Sequence, residues 1–236
     1  MFPFWDVAIA PVIDAVGARR IVEIGALRGD TTRLLLERLG ADGELHVIDP
    51  VPAFDPGGDD VDARCTVHRD LSLNVLPDLP AMDVALVDGD HNWFTVSHEL
   101  RLLAAAARRE GSPLPVLILH DVGWPYGRRD LYYAPERIPE EHRQQYAQRG
   151  LHPGRRDLDR GDGGINAAMH NAVVEGGPRN GVMTALDDFA AEHDRPLRRL
   201  VLPIYFGLAI VAEEDRVAET PALGFNGFLG LRLRLR

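Results

Sequence analysis

The sequence predicts an α/β fold: a mostly parallel sheet with helices on both faces, closed by an antiparallel hairpin. Three observations predict it. Short apolar runs alternate with helical patterns between residues 20 and 121. Each run stops at polar or glycine residues on its C-terminal side. The last two runs lie on either side of Pro203 and read as a closing hairpin.

Taken in order, residues 4–17 are apolar but carry Asp6 and Asp14 and lack a basic flank. They read as a covering helix interrupted near Pro11 and not as a signal peptide. RIVEIG (20–25) is a buried strand, followed by the helix DTTRLLLERLG, whose apolar side gathers Leu34, Leu35, Leu36 and Leu39. ELHVIDP (44–50) is a strand stopped by Pro50, and CTVHRD (65–70) is a weaker third. DVALVD (83–88) is the fourth and feeds the helix TVSHELRLLAAAARRE; LPVLILHD (114–121) is the fifth. The rhythm then breaks. Residues 122 to about 165 are rich in Arg, Tyr, Pro and Asp, a length and composition suited to a lid or binding insertion. A helix returns at NGVMTALDDFAAEH (180–193), with Val182, Ala185, Leu186, Phe189 and Ala190 on one face. RRLVLPIYFGLAIVAEE supplies the hairpin. The tail, 213–236, ends in alternating Leu and Arg, which suits an edge strand or a partner-binding segment. The whole reads as one domain, 1–236.

Composition excludes several classes. A net charge of −10 argues against a general nucleic-acid binder, and no run reaches transmembrane length. The single Cys65 rules out an intrachain disulfide framework and fits a reducing cytoplasm. All 26 basic residues are arginine. Without lysine there is no Walker A phosphate loop and no pyridoxal-phosphate Schiff base.

In an open parallel sheet, ligands bind outside the carboxyl ends of the strands. The five strands here end at Gly25, Asp49, Asp70, Asp88 and His120-Asp121. The first turn, VEIGALRGDTT (22–32), spaces Glu23, Gly25 and Gly29 as E-x-G-x-x-x-G between strand and helix, a layout that favours an anion at the helix N-terminus. Asp49, twenty-four residues past Gly25, suits a ribose diol. A dinucleotide fingerprint needs glycine where Leu27 stands, so a ligand without pyrophosphate fits better.

These motifs together resemble class I S-adenosylmethionine-dependent methyltransferases from about residue 18 to 121. The hairpin (197–212) is similar to that fold's sixth and seventh strands, which implies a Rossmann-like seven-stranded sheet. DGDH and LILHD are similar to small-molecule O-methyltransferases of natural-product pathways, a group that includes macrocin-type sugar methyltransferases and cephalosporin-hydroxylase-like proteins. The resemblance implies that Glu23, Gly25 and Gly29 hold the methionine end of S-adenosylmethionine. Asp49 would take the ribose, and Asp70 with Leu71 the adenine. It also implies a divalent-metal site, Mg²⁺ or Mn²⁺, at Asp88, His120 and Asp121. His120 stands where an acid is more usual and suits Mn²⁺, Fe²⁺ or Zn²⁺ better than Mg²⁺.

With no lysine, the base is Asp88, Asp90, His91, His120 or a metal-bound water. Asp88 and His91 lead as catalytic residues, and Asp90 reads as a helix cap. Trp124, Tyr126, Tyr132 and Tyr133 provide aromatic walls for substrate, with Arg128 and Arg129 as forks for carboxylate or phosphate. His46, His68 and His98 read as structural, and Asp187-Asp188 as a solvated helix face. The expectation is methyl transfer to a hydroxyl of a small polar metabolite, a natural-product intermediate or a sugar. Partners are that acceptor and no nucleic acid or membrane, with homo-oligomerisation left open. A nucleotide-dependent oxidoreductase and a non-catalytic cofactor-binding partner are the competing readings.

Overall fold

A computed structural model describes residues 1–54, 62–161 and 163–219. Five parallel strands, β1 (Arg20–Ile24), β2 (Glu44–Ile48), β3 (Cys65–His68), β4 (Val84–Val87) and β5 (Val116–His120), are interleaved with helices. α1 (Ala10–Val16) precedes β1; α2 (Asp30–Arg38), α3 (Ser72–Val75) and α4 (Trp93–Glu110) follow β1, β3 and β4. Between β5 and α5 (Val182–Glu192) the chain builds a separate three-stranded antiparallel sheet from β6 (Leu131–Tyr132), β7 (Tyr146–Gln148) and β8 (His170–Ala172), in the order β6-β8-β7. β9 (Leu197–Leu202) and β10 (Leu208–Glu213) then return antiparallel to complete a seven-stranded sheet, ordered β3-β2-β1-β4-β5-β10-β9. A short α6 (Glu214–Glu219) closes the described chain. The Leu/Arg repeat of the tail lies outside the described residues.

The sheet is buried on both faces because successive side chains alternate between them. Val22, Ile24, Val87 and Leu119 face α4 and α5, while Ile21, Leu86 and Ile118 face α1 and α2. The order reverses between β1 and β4, which leaves a crevice at the carboxyl ends of these strands. The N-terminal stretch is not one α-helix. A π-helical turn, Trp5–Ile9, precedes α1, with the Ala10 N–H bonded to the Trp5 carbonyl; Pro11, which has no N–H, follows immediately. Among the described residues no helix is long and apolar enough to cross a membrane.

Candidate active site

Strand register sets the rim. Ile24 pairs with Ile48 and with Val87, Ile48 with His68, and Val87 with Leu119. The residues that follow, Gly25, Asp49, Arg69-Asp70, Asp88 and His120, therefore emerge along one edge. Gly25 has φ +85°, and a Cβ there would lie 2.5 Å from Gly89 Cα. The close approach of two strand ends requires glycine at this position before any ligand does. Leu27 also takes a left-handed conformation, φ +46°, with its side chain exposed. Asp49 holds it there: its Oδ2 accepts the N–H groups of Ala26 (3.0 Å) and Leu27 (2.8 Å), and its Oδ1 that of Val51 (2.9 Å).

Glu23 is buried on β1 and accepts the Thr32 hydroxyl at 2.5 Å. Burial chiefly, with the charges of Asp88 and Asp49 adding, lifts its carboxyl to about 7 against the Thr32 bond. Gly29, φ +72°, is the N-cap of α2. Asp70 is exposed beyond β3, and its Oδ1 accepts from the Leu71 N–H (2.7 Å) and Asn74 (2.9 Å), which hold its pKa down.

The centre of the rim is a charge cluster. The potential metal-ligating atoms of Asp88, His120 and Asp121 lie within 4.8 Å of one another. His120 Nδ1 is 3.1 Å from Asp88 Oδ1 and 2.8 Å from Asp121 Oδ2. Burial works against the charged ring, but the two carboxylates prevail and raise it to about 9, so His120 is an imidazolium at neutral pH. Burial would raise Asp88; the His120 bond and nearby positive charges, including the Met1 amino group at 3.0 Å, pull it below its ordinary value. Asp121 sits at φ +57°, a strained setting that Asp tolerates better than most residues. His91 joins from the β4–α4 turn. Its Nε2 is 3.4 Å from Asp121 Oδ2, its ring stacks on Tyr126 (5.8 Å), and Tyr133 lies 5.9 Å away.

Several expectations change. Asp90 is not the cap of α4; Asn92 is, accepting the Thr95 N–H at 2.8 Å. Asp90 instead accepts the Thr95 hydroxyl at 2.9 Å, and burial raises its pKa. Arg129 is 0% exposed, with its guanidinium given to the Ala172 and Arg156 carbonyls and to Glu175 (3.4 Å). It braces the insertion and does not face a substrate. Arg128 is exposed but paired with Asp187 at 2.6 Å. Tyr132 is buried and donates to Asp130 at 2.7 Å, so it is core and not wall. Tyr126 is buried too, its hydroxyl donating to Asn171 (3.1 Å) and accepting from Asn166 (2.6 Å), while its face supports His91. Trp124 packs half-buried beside Tyr126 and Leu131. The Asp187-Asp188 pair is not merely solvated: Asp187 binds Arg128 and Arg199, and Asp188 accepts the Trp93 indole N–H at 2.7 Å. His46 and His68 pair with each other at 3.1 Å, and His98 bonds the Phe94 carbonyl.

Some contributors escaped sequence reasoning. Asp130, fully buried, accepts the Trp93 N–H (2.7 Å), the Gly181 N–H (2.6 Å) and the Tyr132 hydroxyl. It thereby ties the insertion to the starts of α4 and α5. Phe4 lies 5.8 Å from the His120 ring and Phe206 6.4 Å from it. IYFG at the hairpin tip was the available signal, since three apolar residues stand where a turn is ordinarily polar.

Residues 22–122, from β1 to just beyond β5, match a family model described as a methyltransferase domain. The matched stretch, 101 of the 236 residues, is similar to that domain. An O-methyltransferase from Bacillus cereus, solved in complex with S-adenosylhomocysteine, is 15% identical, with 90% of this chain and 81% of that one covered and a TM-score of 0.52. The 1,6-didemethyltoxoflavin-N1-methyltransferase of Burkholderia thailandensis, with bound 1,6-didemethyltoxoflavin and S-adenosylhomocysteine, is also 15% identical, covering 88% and 77% with a TM-score of 0.50. At this identity the likeness is one of fold; one of the two names an oxygen acceptor chemistry and the other a nitrogen. No curated protein matches the sequence.

Proposed function

We propose that the chain binds S-adenosylmethionine along this rim and transfers its methyl group to a hydroxyl of a small metabolite, a natural-product intermediate or a sugar. The observation that carries the reading is the line of carboxylates along β1, β2 and β3, Glu23, Asp49 and Asp70, which presents negative charge to a ligand bearing an ammonium and a sulfonium. Glu23 fits the group on its own evidence: burial and its acidic neighbours hold it near 7, and an incoming ammonium would return it to the ionised form. Asp49 spends three of about four acceptor positions on loop N–H groups, leaving one for a ribose hydroxyl. Asp70 and the backbone of Leu71 border the adenine end.

The bound cofactor supplies an activated methyl group, and the chain supplies alignment and proton removal. Alignment is worth up to about 7–11 kcal/mol and a general base about 10²–10⁴ in rate. His120, already protonated between two carboxylates, cannot serve as that base. His91 can. With Nε2 toward Asp121, its Nδ1 takes the acceptor's proton, and Asp121 faces the imidazolium that forms. Tyr126 fixes the ring plane.

A divalent ion that displaced the His120 proton would be held by Asp88, His120 and Asp121, and it would lower the pKa of the acceptor hydroxyl. Two oxygen donors and one nitrogen favour Mn²⁺, Fe²⁺ or Zn²⁺ over Mg²⁺. The test is transfer of a labelled methyl group from S-adenosylmethionine to hydroxylated and to amine acceptors, before and after chelation and with each ion restored. Labelled ether product supports the reading. Label appearing on amine acceptors alone would overturn the hydroxyl assignment.

A further inference from the structure

Two aromatic flanks border the charge cluster, and neither belongs to the cofactor rim. On one side is the β9–β10 hairpin tip, Ile204-Tyr205-Phe206, with side chains 47%, 63% and 50% exposed. Phe206 meets the His120 ring edge-on at 6.4 Å, and Tyr205 lies 6.0 Å from Phe4, which itself contacts His120. On the other side Tyr133, 52% exposed, lies 5.9 Å from His91.

The tip is held down, not loose. The Gly123 N–H donates to the Phe206 carbonyl at 2.7 Å, and the Gly207 N–H to the Ile204 carbonyl at 2.8 Å. A Cβ on Gly123 would come within 2.8 Å of that Phe206 oxygen, so glycine there lets the hairpin descend onto the exit of β5. Tyr205 and Phe206 both sit at positive φ, 46° and 69°. Large side chains rarely take this conformation, and strain of this kind collects where surrounding structure imposes it at functional sites. The tip leaves about half or more of this apolar surface exposed beside the charge cluster. An aromatic ring lying between the two flanks would bury it at the reactive centre. The polar grips expected for a sugar or phosphate are meanwhile spent: Arg129 on carbonyls and Arg128 on Asp187.

Resting on the methyl-transfer reading above, we infer that the acceptor is a flat aromatic hydroxyl compound, seated between the hairpin tip and Tyr133 with its hydroxyl toward His91. In the step, the phenol's proton goes to His91 and its oxygen forms a bond to the methyl carbon. The carbon–sulfur bond breaks, and its electron pair stays on sulfur.

The experiment pairs calorimetry with turnover on the full chain. Titration with S-adenosylmethionine comes first; absent binding would sink the underlying methyl-transfer reading. With binding established, 2-naphthol and 2,3-dihydroxynaphthalene are compared with methyl glucoside as acceptors, following S-adenosylhomocysteine formation. The inference expects naphthol turnover at least tenfold above the glucoside in kcat/KM. Preference for the glucoside, or no turnover of either naphthol while the cofactor binds, would overturn it. The paired variant Tyr205→Asn/Phe206→Asn keeps residues that tolerate positive φ. It should raise KM for the naphthol at least tenfold, with cofactor affinity unchanged and kcat moved less. An unchanged KM would count against the seat. Should that variant fail to fold, Tyr133→Ser reads the opposite flank by the same KM shift.

Discussion

The two halves of the rim are built differently. On the side proposed for the cofactor, β1, β2 and β3 present Glu23, Gly25, Asp49 and Asp70 at or just beyond their strand ends, each placed by parallel register with its neighbour. On the acceptor side, His91 is steadied by Tyr126 from the insertion and His120 is flanked by Phe4 and Phe206, residues from three distant segments. A strand end fixes a residue's place from local sequence. A flank assembled from a covering segment, an insertion and a hairpin is fixed only by packing. The cofactor side can therefore stay constant while the acceptor side is rebuilt by changing loops.

Substitutions that separate the halves test this contrast. The largest effect is expected from Asp88→Ala, which removes a carboxylate from the charge cluster but leaves Asp49 and Asp70 untouched. Turnover should fall by about 10²–10³, a loss typical of a deleted electrostatic partner, with cofactor affinity within a few-fold. Equal loss of binding and turnover would mean the halves are not separable.

Asp130→Ala comes next. It strands two helix-start N–H groups and the Tyr132 hydroxyl, and unfolding free energy measured by denaturant should drop by about 3 kcal/mol or more.

Glu99 offers a pH handle. It is 0% exposed, bonded only through Oε1 to the Ser72 hydroxyl at 2.5 Å, and burial lifts it from 4.5 to about 8. The native state thus holds a proton that the unfolded chain has lost between those values, and stability falls as pH rises through that window. Glu99→Gln, which mimics the protonated acid, should match the parent near pH 4.5. It should then gain by up to about 1.4 kcal/mol per pH unit until the advantage levels above 8. Parallel stability profiles for the two proteins would contradict the burial account.

Arg128→Ala is expected to do least. Its exposed pair with Asp187 is worth about 1 kcal/mol or less, and the acceptor KM should not move. A large rise in KM would return this arginine to the substrate site.

The same contrast explains what the sequence made legible. The seven-stranded sheet, the closing hairpin and every strand-end acid were readable, because apolar runs and their polar stops are local signals. Arg128-Arg129 misled because an arginine pair beside the fifth strand's end reads as a substrate fork until tertiary packing buries one member and pairs the other. Tyr132 sank for the same reason, into the hydrogen-bond node around Asp130. Asn92, two residues past Asp90, took the cap because its backbone is extended at the helix start and its side chain reaches the Thr95 N–H. Leu27 kept the left-handed turn that glycine usually provides, since Asp49 pins the loop from a different strand.

The central claim is that the strand-end carboxylates form an S-adenosylmethionine site, and calorimetric titration of that cofactor into the parent chain and Asp49→Ala tests it most directly. The account predicts saturable binding to the parent at micromolar concentration, weakened at least tenfold in the variant. No binding to the parent, or equal binding to both, would contradict it.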